Sequence, residues 1–215
     1  MFSMNIFWEK FFYLFTYITQ GSSYLSPRAY GVLHRMHHAF SDTERDPHTP
    51  HHSNNVFGMM WKTKDIYNDI LNHKSTPEKR FIDNIPNWTL IEKIGDSWIS
   101  RVGWGTFYVL FYIHFVPPNM WYLFLLIPIH FLMGPIHGAI VNWSGHMYGY
   151  QNFDNNDKSR NSLAMDVLMM GELYQNNHHK LPNRPDFSVK WFEFDPTYPI
   201  IFILNFLGII SIKNK

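Results

Sequence analysis

Residues 102–153, VGWGTFYVLFYIHFVPPNMWYLFLLIPIHFLMGPIHGAIVNWSGHMYGYQNF, contain no Asp, Glu, Lys or Arg. A helix needs about 20 apolar residues to cross a bilayer, so a charge-free run of this length suits two crossings better than one. Pro117, Pro118 and Asn119 interrupt it near the middle, and adjacent prolines remove backbone donors and favour a turn. The expectation is a membrane helical hairpin over 102–141, with arms 102–116 and 120–141. The first arm is short for a span, so tilt or upstream residues such as Trp98 and Ile99 complete it. Lys93 and Arg101 precede the run and Lys158 and Arg160 follow it, while the Pro-Pro-Asn tip carries no cation. That asymmetry puts both outer ends on the cytoplasmic side.

Outward from the hairpin, residues 6–20 (IFWEKFFYLFTYITQ) are apolar and aromatic, yet hold Glu9 and Lys10 and are followed by Gly21-Ser22-Ser23. They read as an interfacial helix within 1–23. Residues 42–100 are polar and belong on the soluble side. The apolar stretch 198–212 follows Pro196 and Pro199 and ends at Lys213 and Lys215, which suits a short helix on the membrane surface, a third crossing being the alternative. No internal repeat is present. The expected fold is all-α and a single domain over 1–215: a membrane helical hairpin, interfacial helices, and a cytoplasmic histidine-rich helical cap in 142–215.

A formal net charge of +1 gives no basic field to attract nucleic acid. The chain has no cysteine, which excludes disulfides, thiolate nucleophiles, zinc ribbons and thiolate-held iron-sulfur clusters. The start of the chain lacks a basic segment followed by a small-residue cleavage site, so no secretory signal is read. The 13 histidines and 18% aromatic content suggest a metal site with nitrogen and oxygen ligands in an apolar or interfacial setting.

Leu33-His34-Arg35-Met36-His37-His38 places imidazoles at i, i+3 and i+4, on one face of a helix. A second group is Gln175-Asn176-Asn177-His178-His179, with Glu172 one turn before Gln175, and a third is Asn142 and His146, one turn apart. Two crossings between His38 and His178 return the chain to the same side, and His146 emerges at the cytoplasmic end of the second arm. All three groups can therefore meet on one face of the bilayer without an ionised side chain in lipid. His51 and His52 read as satisfied surface polar groups, and His114, His130 and His137 as hydrogen-bonding groups between hairpin helices. Imidazole and amide donors suit iron, copper or zinc, and ligand type alone does not choose. A zinc peptidase would show His-Glu-x-x-His, which is absent. The clustered histidines also exceed the roughly three that one catalytic zinc uses, and two metal ions account for the number.

These motifs resemble those of the membrane-bound fatty-acid desaturases of the acyl-CoA type, and of their bacterial members most of all. The resemblance rests on His34 to His38 continuing into Ser41-Asp42-Thr43-Glu44-Arg45-Asp46-Pro47-His48, on Asn142 to His146 followed by Met147-Tyr148-Gly149, and on Gly171-Glu172 running to His178-His179. It covers nearly the whole chain. It implies two iron ions with His34, His37, His38, His146, His178 and His179 as ligands and Asn142 bound through water. One departure is that the family's first box, His-x-x-x-x-His, is absent, which implies an upstream segment carrying a hairpin and two further ligands outside this sequence. The other is Gln175, where many members have histidine; its amide oxygen is a weaker donor, and Gln175 is placed in the metal site. Asp42, Asp46 and Glu172 are natural acceptors for ligand imidazole N–H groups, with helix caps or solvated charges as their plainer roles.

The chemistry implied is oxygen-dependent removal of two hydrogens from an unactivated methylene pair, leaving a cis double bond, near the ninth carbon of a fatty acyl chain. No side chain can deprotonate such a C–H bond, so the metal supplies the chemistry while the protein positions the chain and excludes water. The two electrons per turnover need a carrier, and neither Gly-x-Gly-x-x-Gly nor Cys-x-x-Cys-His occurs. The donor is therefore a separate protein, ferredoxin or a cytochrome b5-like carrier. The expected setting is a bacterial cytoplasmic membrane with the active site on the cytoplasmic side, membrane lipid around the hairpin, and acyl-CoA or another acyl carrier delivering the substrate. Lipid hydroxylation at the same irons and a non-catalytic desaturase fragment are the alternatives.

Overall fold

The computed structural model describes residues 1–163 and 166–213; Lys215, counted above among the terminal cations, lies outside them. Helix α1 (Ile6–Gln20) starts where the Asn5 side chain accepts from the Trp8 amide at 3.1 Å and stops at Gly21, whose left-handed φ of 53° turns the chain. Only Tyr13 in it is buried, while Phe7, Phe11, Phe15 and Ile18 are exposed. A stripe of exposed aromatic residues beside Glu9 and Lys10 is the pattern of a helix lying in an interface.

Ser26 caps α2 (Pro27–Phe40), accepting from the Ala29 amide at 3.0 Å, with Pro27 at the first helical position where no donor is lost. Ala29, Val32, Leu33, Met36 and Phe40 recur at helical spacing and form one core face, packed with Ile66, Ile70 and Leu71 of α3 (Val56–Leu71) and Phe81 of α4 (Lys79–Ile82). That burial fixes the rotation of α2, and His34, His37 and His38 lie off the core face. Short helix α5 (Thr89–Asp96) carries Glu92, whose carboxylate accepts from Tyr13 of α1 and Ser26 at the head of α2 and lies 3.8 Å from Arg28. This one group joins α5 to α1 and α2, which precede it by 79 and 66 positions at the bonded residues.

The hairpin follows. Its first arm is α6 (Trp98–Phe115), 18 residues or about 27 Å, beginning at the two residues expected to extend the shorter arm. Its second arm is a helical run from Pro118 to Met147: a 3-10 stretch (Pro118–Leu126), α7 (Ile127–Ala139), a π turn (Ile140–Ser144) and α8 (Gly145–Met147). Among the described residues this 30-residue run is the one helix long and apolar enough to cross a membrane. The arms are tied by Tyr112 and His130 (2.9 Å), the interhelical role read for His130. His114 and His137 make no hydrogen bond among the described residues, and His137 lines a cavity.

Beyond α8 the cap is mostly loop, with α9 (Gln175–Lys180) as the one helix among its described residues before α10 (Thr197–Phe206). Asn and Asp are dense in 152–157, and their side chains compete with the backbone for its own hydrogen bonds. Here they join a part-buried network: Asn152 Nδ2 donates to Asn177 Oδ1 and Glu193, and Asn155 Nδ2 to the Asn176 carbonyl, while Asn176 Oδ1 accepts from the Asn152 and Phe153 amides, Asn161 Nδ2 donates to Asn177 Oδ1, and Asn177 Nδ2 donates to Glu193. The network clamps α9 in place. Helix α10 is 10 residues, about 15 Å, half of what a crossing needs. It ends at Gly208 (φ 69°), and residues 209–212, read as its continuation, instead include strand β2 (Ile210–Ile212), antiparallel to β1 (Phe2–Met4). A left-handed glycine with amide bonds back to Asn205 from Gly208 and to Leu204 from Ile209 is a helix stop, and the Ile-Ser-Ile that follows favours extended chain.

Candidate metal centre

Helix α2 contributes His34, His37 and His38, α8 contributes His146, and α9 contributes His178 and His179. They meet as two groups of imidazoles, His34/His38/His178 and His37/His146/His179, with the ligand atoms of each group within 4.8 Å of one another. In the first, Nε2 of His38 lies 3.1 Å from that of His34 and 2.9 Å from that of His178, and His34 and His178 are 3.4 Å apart. In the second, Nε2 of His37 lies 3.1 Å from that of His179, and the ring of His146 stands 5.0 Å from His37 and 5.1 Å from His179. The groups adjoin, since the rings of His38 and His179 are 4.6 Å apart.

A carboxylate can only accept a hydrogen bond, so an imidazole nitrogen against one must be its donor. Asp46 lies 2.9 and 3.0 Å from His37 Nδ1, Asp42 lies 3.0 Å from His146 Nδ1, and Asp157 lies 2.7 Å from His179 Nδ1. Each of these rings therefore carries its proton outward and turns the Nε2 lone pair inward. His146 Nε2 is buried with no hydrogen-bond partner, and His37 Nε2 faces His179 Nε2, acceptor against acceptor. A first-row metal ion about 2.1 Å from each nitrogen separates ligand nitrogens by about 3.0–3.4 Å at right-angled to tetrahedral angles. The observed spacings and the inward lone pairs fit a bound cation.

Burial pushes His34 down to about 4, and His37, His38, His48 and His178 also fall well below the usual histidine value, first through burial and then through neighbouring imidazoles. All are neutral at pH 7, the form that ligates metal. Burial raises Asp42 and Asp157, but the hydrogen bonds from His146 and His179 outweigh it. Asp42 is held well below the carboxylate range and Asp157 at about 2. Asp42 occupies left-handed backbone (φ 59°), which Asp tolerates. It also accepts from the Lys158 amide and from Thr49, while its own amide donates to Asp46.

The remaining sequence candidates are placed as follows. Asn142 lies in the π turn, a device common at functional sites, and lines a cavity of about 990 Å³. Gln175 is 3% exposed, packs against Gly145 and donates its amide to the Glu172 carbonyl at 2.6 Å. Glu172 sits apart from the imidazole–carboxylate pairs and lines the same cavity, where burial and then Asp195 and Asp166 push its carboxyl up to about 7. His51 and His52 face the backbone carbonyls of His146 and Asp42 at 3.2 Å.

Sequence reasoning missed Asp157 and His48. Asp157 stands 22 positions before its partner in an irregular loop, so no periodicity marks it. His48 belongs to the quoted 41–48 motif but shares no helical face with a ligand. In the fold its ring lies 4.1 Å from that of His37, both its nitrogens are buried without partners, and it lines the cavity. The cavity extends from His48, Asn142 and Glu172, past Met60 and Gly138, to Tyr108 and His130 inside the hairpin.

The family model for Fatty acid desaturase matches residues 1–202. The chain belongs to the fatty acid desaturase family. Among curated relatives, this family member is 31% identical over 193 residues to the sn-1 stearoyl-lipid 9-desaturase of Synechocystis sp., covering 82% of this chain and 52% of that protein. It is 28% identical over 206 residues to the hex-5-enoyl-[acyl-carrier protein] acetylenase of Moorena producens (83% and 58%) and 28% identical over 188 residues to the Delta-9 desaturase-like 2 protein of Arabidopsis thaliana (83% and 57%). The chain thus spans between half and three-fifths of the length of these relatives.

Proposed function

We propose that this chain carries the metal centre and acyl cavity of an oxygen-dependent fatty-acyl desaturase that inserts a cis double bond, near carbon 9, into a chain held on CoA or another acyl carrier. The observation that carries the reading is the pair of three-imidazole groups beside a mostly apolar cavity of about 990 Å³ that runs into the hairpin. His34, His38 and His178 would hold one iron and His37, His146 and His179 the other, with Gln175 as an amide ligand and Asn142 acting through water. Iron bound there supplies the activation of dioxygen that an unactivated C–H bond requires.

The protein's own residues do the rest. Asp42, Asp46 and Asp157 keep three rings in the tautomer that offers Nε2. The hairpin and α1 wall the cavity against water, so that an extended acyl chain passes the imidazole groups at a fixed depth. Electrons come from a separate ferredoxin or cytochrome b5-like protein. The site faces the cytoplasm of a bacterial membrane.

The test is expression of the protein in a desaturase-deficient bacterial host supplied with ferredoxin and its reductase, with fatty acids analysed by mass spectrometry and iron measured in purified, detergent-solubilised protein. New cis-monounsaturated chains that disappear in His38→Ala and His179→Ala variants support the proposal. Hydroxylated chains, or about two irons per chain without any change in lipid, refute it.

A further inference from the structure

Resting on the two-metal reading above, the outer nitrogens of the six imidazoles divide the centre into unlike halves. Every ring of the His37/His146/His179 group donates Nδ1 to a carboxylate: Asp46, Asp42 and Asp157 respectively. The three carboxylates are shielded, with side chains 0%, 5% and 12% exposed. Each is held by further donors: Asp46 by the Asp42 and His48 amides, Asp42 by Thr49 and the Lys158 amide, and Asp157 by the amide and hydroxyl of Ser159. The His34/His38/His178 group has no such partner among the described residues. His178 Nδ1 is buried with no hydrogen bond, and its ring is held against Phe187 at 4.3 Å. His34 stacks on Tyr30 at 5.9 Å with the planes 15° apart.

We infer that the two metal positions are inequivalent, the carboxylate-backed His37/His146/His179 position binding a divalent metal ion more tightly and filling first, and the aromatic-braced His34/His38/His178 position filling second. An imidazole that donates to a carboxylate is a more basic ligand with a fixed tautomer, and loss of such a partner typically weakens metal binding about 10–100-fold. Three partners against none sets the order. The shielded anions act in the same direction, because they stabilise a dication near them in surroundings of low dielectric. Stacking against Tyr30 and Phe187 orients rings without adding basicity or charge, so the imidazoles of the second position gain nothing comparable from their outer nitrogens.

The experiment is anaerobic titration of metal-free, detergent-purified protein with ⁵⁷Fe²⁺, read by Mössbauer spectroscopy at sub-stoichiometric and full loading, with affinities from chelator competition. The expected result is a single quadrupole doublet up to one iron per chain, a second doublet thereafter, and a first affinity at least about 10-fold tighter than the second. Asp157→Asn should weaken the tighter step about 10–100-fold and the other step much less, whereas His178→Ala should abolish only the weaker step. The titration of the unsubstituted protein stands even where a variant fails to fold. Two doublets growing together from the first addition, or an Asp157→Asn variant that weakens both steps equally, overturns the inequivalence while leaving two metals in place. Absence of iron binding overturns the two-metal reading itself.

Discussion

Gly145 opens α8 immediately before His146, and a Cβ built there would lie 2.4 Å from Gln175 Cγ and 3.2 Å from Gln175 Cβ. Its backbone is right-handed helical (φ −65°), so alanine fits the main chain and gains up to about 1 kcal/mol in helix propensity. The contact works against this. Rotating the Gln175 side chain can move Cγ away but not Cβ, and Gln175 is buried, so α9 itself must shift; overpacking of this kind costs about 1–3 kcal/mol. The net expectation for Gly145→Ala is a loss of about 1–2 kcal/mol, a fall in Tm of about 2–8 °C for a chain of this size. Because His178 and His179 follow Gln175 by one turn, iron content is expected to fall as well. Thermal unfolding in detergent and iron analysis are the assays. Adding Gln175→Gly removes both contacting atoms, and a double-mutant cycle should show a stabilising coupling with Gly145→Ala without recovered iron, since Gln175 is a proposed ligand. Unchanged Tm and full iron in Gly145→Ala would refute the idea that this contact sets the position of α9.

Glu92→Ala strips a shared acceptor from Tyr13 and Ser26 and a charge partner from Arg28, and a loss of about 2–4 kcal/mol is expected in denaturant unfolding; a change below 1 kcal/mol contradicts the bridging role. Asn55→Ala removes the side chain that caps α3 through the Gly58 amide at 2.9 Å; stability is expected to drop by about 1 kcal/mol with iron content unchanged. Gly138→Phe projects into open cavity, its nearest neighbours being Met60 and Asn142 at 3.8 and 3.9 Å; lipid analysis should show desaturation lost while iron is retained, and loss of both contradicts the assignment of the cavity to the acyl chain. For the metal-free protein, His34 titrates at about 4 in the fold against about 6.5 unfolded. Between those values the unfolded chain binds the extra proton, so stability is complete above pH 6.5 and falls on acidification by up to about 1.4 kcal/mol per pH unit for each such histidine. Circular dichroism from pH 7 to 4 should record that loss, and a flat profile speaks against neutral buried imidazoles.

Features written in local pattern were legible without coordinates. The charge-free run 102–153 with its double proline specifies two apolar arms, because ionised groups are expensive in hydrocarbon and adjacent prolines end a helix. The bounds read for the interfacial helix, 6–20, are those of α1. His34, His37 and His38 were placed on one face by the 3.6-residue period, and the buried core on the other side of α2 holds that face toward the remaining histidines. What tertiary structure alone decided depends on residues with no mutual periodicity. Asp157 reaches His179 because the asparagine network folds the 148–163 loop back onto α9. The buried, unpaired His48 beside His37, and the pairing of the chain's first residues with 210–212, likewise join positions set by long-range closure. The division of the imidazoles into a carboxylate-backed group and an aromatic-braced one belongs here too. The sequence names the candidate ligands, but which Nδ1 meets a carboxylate is fixed only when the loop after α2 and the 148–163 loop converge on the imidazoles, since a hydrogen bond of about 3 Å is a condition on positions in space.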